Sequence, residues 1–399
     1  MSMMGAMSWP WLVAQVTWLL EGRILLGAIR RILSWLDMLH NQSSIPTRLL
    51  NSLEPPGLIQ HFLHCPPEGF EIVVSDVGQP GFRVKFDLLT TVDAGALRFV
   101  NALPAAGLVR QLLTWRTLFW GTTVTEYLPV PSQLDGLASV ESMLTTWQRS
   151  SRLCVLKDIP NQSPLLTEAE RIAAVELIDA CKSRGFILIA GQALAYVPID
   201  FENVEEYLSR LSSSRRKNIR RKMRARADIQ IEMMTTGCER LNNAAFLNGL
   251  YELYLNVYRQ SDIHFDKLSA EFFSAVFKDH SLDGHLFLYY SAGQLIGFNL
   301  CFIHNNMLID KYIGFRYPAA REHNLYFVSW MENLAFALSR KLRHYVAGWT
   351  DPEIKAYLGA KFTFTQHAVY VRNPVLRRIL AKLSGHFEHD KAWFEEHPQ

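Results

Sequence analysis

Three apolar runs packed end to end limit what this chain can fold into more than any other feature. They are His285–Ala292, Leu295–His304 and Met307–Arg316, joined by the dipeptides Gly293-Gln294 and Asn305-Asn306. Runs rich in aromatic and β-branched residues, separated by two-residue connectors of Gly and Asn, read as an antiparallel meander. A long apolar helix is expected next, from Asn324 to Lys341. A short strand over 343–349, a helix over 351–360 and a last strand over 362–372 follow. A meander, a helix behind its last strand, and then strand–helix–strand is an α+β layout with helices on a largely antiparallel sheet.

Upstream the signals are less regular. Two strands are expected at 70–75 and 82–87, with turn residues at 78–81 between them. The pattern is mostly helical over 92–120. A helix is expected at 139–149, a strand at 152–157, a helix at 167–184 opened by a Thr167/Glu170 capping box, and a strand at 186–190. At 399 residues the chain exceeds one ordinary core. We therefore divide it into an N-terminal amphipathic helical segment (1–45), a first mixed domain (46–200), a second domain opened by a basic helix (201–385) and a tail (386–399).

Composition narrows the function classes. Lysine and arginine number 41 against 38 acids, a net charge of +3, so the overall charge does not point to nucleic acid. The five cysteines are scattered without a C-x-x-C pair, which suits a reduced, cytosolic compartment and argues against a cysteine metal site; the histidines show no ligand spacing, so no metal is expected. The apolar stretch 9–39 is interrupted by Gln15, Glu21, Arg23, Arg30, Arg31 and Asp37, so it is too broken to span a bilayer. It reads either as an in-plane helix giving peripheral contact with a membrane surface or as helices packed on the first domain.

Charge is concentrated in one place. Between Arg215 and Arg226 lie eight cations, Arg215, Arg216, Lys217, Arg220, Arg221, Lys222, Arg224 and Arg226, around a narrow stripe of Leu208, Leu211, Ile219 and Met223. Ser212–Ser214 favour a helix start there. Such a run is either a solvated face or a grip for phosphate-rich ligands: a nucleotide cofactor, RNA or anionic headgroups.

The run Ser212–Lys222, the meander, and Gly348-Trp-Thr-Asp-Pro-Glu-Ile-Lys-Ala-Tyr-Leu-Gly-Ala360 together resemble the GNAT-type acyltransferase superfamily. The likeness is to the CelD-like acetyltransferase branch, which is related to the Fem-type peptidyltransferases. It extends over roughly 154–372, with Asp351, Lys355, Gly359 and Ala360 matching the branch's late acidic residue, lysine and Gly-Ala pair. The resemblance implies two GNAT-like domains in tandem, each a mixed, mainly antiparallel sheet flanked by helices. It implies an acyl-CoA co-substrate (acetyl-CoA or longer) and transfer to an amine or hydroxyl of a small-molecule, glycan or lipid-precursor acceptor. In the Fem-type relatives the donor is an aminoacyl-tRNA, so tRNA is the alternative partner. A non-catalytic GNAT fold acting as a binding protein at a membrane is a third reading.

In most GNAT enzymes a glycine-containing turn binds the CoA pyrophosphate at the start of the central helix. The corresponding turn, Arg316–Asn324, has no glycine; Arg316, Arg321 and His323 are the side chains that would replace its contacts, with Asn324 as the helix cap and Lys355 as a further cofactor contact. For the chemistry, period-two alternation puts Leu308, Asp310, Tyr312, Gly314 and Arg316 on one face of the third meander strand, and Ile309, Lys311, Ile313 and Phe315 on the other. A carboxylate in such a strand suits a general base, or else a structural ion pair, so Asp310 is a catalytic candidate with Tyr312 on the substrate side. His264 and Asp266 sit in a loop between helices, as a base with an acceptor anchor or as mere helix-capping neighbours. Tyr357 is a proton donor to the leaving group or a packed aromatic, and Asp351 a substrate contact.

Overall fold

The structure, a computed structural model, describes residues 49–88, 107, 111, 113–147, 151–261 and 265–383. The N-terminal segment 1–45, most of 92–112, His264 and the tail 386–399 lie outside these residues. The strands are β1 (Leu49–Leu50), β2 (Glu71–Val74), β3 (Pro80–Asp87), β4 (Thr114–Trp120), β5 (Val130–Pro131), β6 (Leu153–Asn161), β7 (Ile187–Pro198), β8 (Gln230–Thr235), β9 (Gly284–Ser291), β10 (Gln294–His304), β11 (Met307–Phe315), β12 (His344–Gly348) and β13 (Lys361–Val371). The α-helices are α1 (Pro56–His64), α2 (Gly136–Trp147), α3 (Glu168–Ser183), α4 (Val204–Ser209), α5 (Ser213–Met223), α6 (Ala244–Gln260), α7 (Ala270–Lys278), α8 (Ala319–Glu322), α9 (Leu325–Ser339), α10 (Pro352–Leu358) and α11 (Pro374–Leu383).

Among the described residues, eleven strands form one mixed sheet in the order β2-β3-β4-β6-β13-β7-β12-β11-β10-β9-β8, flanked by helices, and β1 pairs with β5 separately. The fold is thus α+β with a large mixed sheet. Each half of the sheet repeats one order: a three-stranded meander, a parallel partner for its last strand, then an antiparallel strand. In the first half these are β2-β3-β4, β6 and β13; in the second they are β9-β10-β11, β12 and β7. The antiparallel strand beside each parallel pair therefore comes from the other half of the chain.

The meander at 285–316 forms as its pattern demands. Its second turn uses Asn305 (φ 48) and Asn306 (φ 60); the first uses Ala292 (φ 48) and Gly293 (φ 75), one residue earlier than the Gly293-Gln294 dipeptide suggests. Two successive left-handed residues give the primed turn whose twist matches the strands. Thr167 accepts from the Glu170 amide and the Glu170 carboxylate accepts from the Thr167 amide at 2.9 Å, so the capping box opens α3. The helical reading of 92–120 fails at its end. Thr114–Trp120 is a strand in full register with β3 and parallel to β6. The β-branched and aromatic residues of Thr-Trp-Arg-Thr-Leu-Phe-Trp outweigh the helical spacing once two neighbours supply ladder hydrogen bonds.

Alternation in β11 holds only to Lys311. Leu300 pairs with Tyr312, but Cys301 pairs with Asp310, so Lys311 is an extra, bulged residue. Leu308 and Asp310 face α9, Leu308 in a core with Trp330, Leu334 and Tyr345. Past the bulge the faces exchange. Tyr312 packs on Phe272 and Phe273 of α7, a side chain at Gly314 would meet Leu253 of α6, and Phe315 joins the α9 core. Tyr312 and Gly314 therefore do not share the face of Asp310.

Candidate functional site

β11 and β12 run parallel for three residue pairs only, Met307–Ile309 against His344–Val346, and then part. β11 continues to Phe315, while β12 ends at Gly348, which lies in the left-handed region (φ 79). Asp351 (φ 54) turns the chain into α10, and Gly359 (φ 97) ends that helix. A side chain at Gly359 would come within 2.7 Å of Leu211, which fixes how tightly α10 sits against the α4–α5 region. This short turn and helix aim Lys355 back at the opening. A Cβ at Gly348 would lie 3.8 Å from the Lys355 Nζ and 3.9 Å from the Asp310 carbonyl oxygen.

Lys355 is 4% exposed and its ammonium makes no hydrogen bond or ion pair with any described residue. Burial pushes its pKa down to about 8, an effect that the charges of Asp310, Glu126 and Asp351 partly offset. Asp310 is held by three donors: the amide of Asn299 at 2.6 Å, that of Asn333 at 3.0 Å and the hydroxyl of Tyr345 at 2.8 Å. Burial raises its carboxyl above the ordinary range, while Tyr345, Asn299 and Lys355 pull the other way. A carboxylate with three fixed donors and a nearby ammonium is a charge held in place.

Across the sheet lies a second charged group. The ammonium of Lys311 donates to Glu54 at 3.0 Å and Glu126 at 2.6 Å, and the carboxylates are 0% and 2% exposed. Glu54 also accepts from the Glu126 amide at 2.8 Å. Burial would lower the Lys311 pKa, but the two carboxylates outweigh it and hold the ammonium charged. Asp266 lies on this side too, attracted by Lys157 and Lys311, its carboxyl raised chiefly by burial.

The expected phosphate turn has a different character. Arg316 donates to the Leu295 carbonyl, Arg321 donates to Gln260 and lies over Tyr317, and His323 bonds Ser291. Asn324 is left-handed (φ 48) and its side chain makes no capping bond, contrary to expectation. Asp351 is exposed. The Tyr357 hydroxyl accepts from Asn218 at 2.7 Å and its ring lies under Arg215, which directs it to α5. The structure thus brings Asp310 and Lys355 together, puts Asp266 and Tyr312 on the opposite face, and keeps the turn residues with their own neighbours.

Asn299, Asn333, Tyr345, Glu54 and Glu126 escaped the sequence reading, which put Lys311 on the face opposite Asp310 but gave it no role. An asparagine inside an apolar strand or helix is a signal that a buried partner exists, and Asn299 and Asn333 carry it. Glu54 and Glu126 stand in irregular segments with no pattern to mark them.

The basic helix α5 rests on α9 and α10: Arg215 donates to the Ala356 carbonyl, and Lys222 lies 3.6 Å from the centre of the Phe327 ring. Ile219 is its buried anchor, and Leu208 belongs to the separate helix α4. Of the eight cations, Arg220 pairs with Glu205 and Arg226 with Glu332; no other has a carboxylate in reach among the described residues. No described helix is long and apolar enough to cross a membrane, and no described His, Cys, Asp and Glu cluster could hold a metal.

With a mixed sheet, a charged opening between β11 and β12 and a cationic helix beside it, the chain belongs to the FemAB-like family, whose description is peptidoglycan biosynthesis/recognition and whose model matches residues 169–396. That span contains α5, β11, β12 and Lys355, but not Glu54 or Glu126. No curated protein matches the chain. Among solved structures it is similar to the C-terminal domain of a putative lysylphosphatidylglycerol synthetase from Agrobacterium fabrum, at 12% identity over 82% of this chain and 90% of that one, with a TM-score of 0.48. It is also similar to FemX, at 10% identity over 83% and 96% with a TM-score of 0.47. A tandem GNAT protein from the clavulanic acid biosynthesis pathway matches at 11% identity over 85% and 94% with a TM-score of 0.42. At these scores the structural likenesses carry no functional weight.

Proposed function

We propose that the protein is a transferase of the Fem type, moving an aminoacyl group from aminoacyl-tRNA to an amine of a peptidoglycan precursor. The family match over 169–396 carries this reading. It displaces acyl-CoA as the first choice of donor and keeps the acceptor among glycan precursors. The six cations of α5 and its end that lack carboxylates support a polyphosphate donor, and one of them, Arg215, bonds the helix bearing Lys355. We also read the repeated strand order as two GNAT-like domains that exchange their antiparallel strands.

The reaction needs little from the protein beyond position and one proton carrier. The acceptor amine attacks the ester carbonyl, a C–N bond forms, and the ester C–O bond breaks with its electron pair going to the ribose oxygen. The amine's proton passes to neutral Lys355 and from there to that oxygen, leaving an amide and deacylated tRNA. A lysine held near 8 can take and return a proton close to neutrality. Asp310 is the positioning residue that keeps Lys355 at the strand opening.

Binding of bulk aminoacyl-tRNA, measured by fluorescence anisotropy at several salt concentrations, tests the donor. Neutralising three to six phosphates predicts a slope of log affinity against log salt between about −2 and −5. Binding without salt dependence, or thermal stabilisation by acetyl-CoA and not by aminoacyl-tRNA, would overturn it and return the donor to a CoA thioester.

A further inference from the structure

We infer that the Glu54–Lys311–Glu126 cluster, completed by Tyr312, is the receptor for a primary ammonium: the unreacting α-ammonium of the donor's aminoacyl group. This deepens the donor reading above and rests on it.

Two carboxylates share one lysine, so with all three charged the cluster carries one negative charge in excess. Each carboxylate gives a single oxygen to Lys311. The second oxygens, Glu54 Oε2 and Glu126 Oε2, are buried and have no hydrogen-bond partner among the described residues. The bulge at Lys311 turns Tyr312 to the same side, and its hydroxyl, in the field of both carboxylates, is buried without a partner as well. Three buried acceptor atoms around an excess negative charge call for a cationic donor with several N–H groups. A primary ammonium has three.

Chemistry decides which amine this is. An anionic site stabilises the protonated form of an amine, which disarms a nucleophile. The attacking amine must lose its proton, so it belongs beside Lys355, whose burial favours neutral groups. The ammonium read by the carboxylates is the one that stays charged throughout, the α-amino group of the transferred residue. Glu126 acts electrostatically on both Lys311 and Lys355, so the cluster lies within electrostatic reach of the group that takes the attacking amine's proton. An acetyl group has no such charge, so this cluster selects aminoacyl over acetyl donors.

The test compares aminoacyl-tRNA, N-acetylaminoacyl-tRNA and deacylated tRNA in anisotropy binding to the full-length chain, alongside thermal stabilisation by L-alaninamide and N-acetyl-L-alaninamide at constant ionic strength. The free α-amine should improve binding at least about tenfold over the acetylated form, the scale of a desolvated charge pair. Glu126→Gln should bring that ratio close to one while binding of deacylated tRNA is unchanged. Tyr312→Phe, which removes one oxygen and keeps the packing on Phe272 and Phe273, should lower it in part and covers the case in which the glutamine variant does not fold. Equal binding of free and acetylated aminoacyl-tRNA overturns the inference and leaves the tRNA reading standing. No binding of any tRNA, with wild-type stabilisation by alaninamide alone, overturns the tRNA donor and keeps the ammonium site. No discrimination in either assay overturns the site.

Discussion

Replacing Lys355 by methionine should make the protein more stable and inactive. The substitution keeps the length and apolar stem of a side chain that is 4% exposed and removes an ammonium that burial holds near pKa 8 against an ordinary 10.5. That gap corresponds to about 3 kcal/mol of destabilisation when the lysine is protonated, with the attraction of Asp310 and Glu126 already included. Between pH 8 and 10.5 the unfolded chain still holds a proton that the folded chain has released, so the wild type gains stability as pH rises through this window. Below it both states are protonated and the cost is fully present; above it both are neutral and the cost vanishes. Urea denaturation of both proteins from pH 6 to 11 isolates this residue, because other titrations cancel in the difference. Lys355→Met should be more stable by up to about 3 kcal/mol at pH 7, and the difference should close toward pH 10.5. Wild-type aminoacyl transfer should rise with pH through about 8. A variant no more stable at pH 7, or a difference that does not change with pH, would refute the assignment of Lys355 as a buried lysine kept ready to be neutral.

Asp310→Asn places an amide N–H₂ against the donors of Asn299, Asn333 and Tyr345, so it should cost about 1–3 kcal/mol in chemical denaturation, and unchanged stability would contradict the network. Replacing Lys217, Arg221 and Arg224 together by glutamine removes cations without carboxylate partners, so the salt slope for tRNA should flatten by about one for each phosphate that is no longer neutralised. Circular dichroism melting of that triple variant should match the wild type. Ala292→Gly relieves a left-handed alanine (φ 48) in the first meander turn and should raise stability by about 1 kcal/mol in urea; a decrease would mean that the turn does not adopt this form.

Much of the second half, and the start of α3 in the first, was legible because the determinants are local. Alternating aromatic and β-branched residues define β9, β10 and β11, Asn305-Asn306 suits a left-handed pair, and Thr167 with Glu170 writes its own cap. The same local reading mistook β4 for helix, because Thr114–Trp120 becomes a strand only with β3 on one side and β6 on the other. It also shortened β7, whose full length to Pro198 depends on pairing with β13 and β12.

By itself the sequence determined the meander, the apolar helix behind it, the cationic helix and the presence of Asp310 and Lys355, since each follows from spacing, turn chemistry or residue type within a short window. Only the tertiary structure decided what those residues do together. A bulge at Lys311, where the pairing with β10 shifts, separates Asp310 from Tyr312, and the fold brings Lys311 to Glu54 and Glu126, more than 180 residues away in sequence. The insertion of β13 between β6 and β7 joins the two halves of the sheet. Lys355 is held near 8 because α10 buries it at the mouth of two parting strands. Desolvation and long-range pairing have no signature in local spacing, because both depend on which distant segments displace water from a side chain.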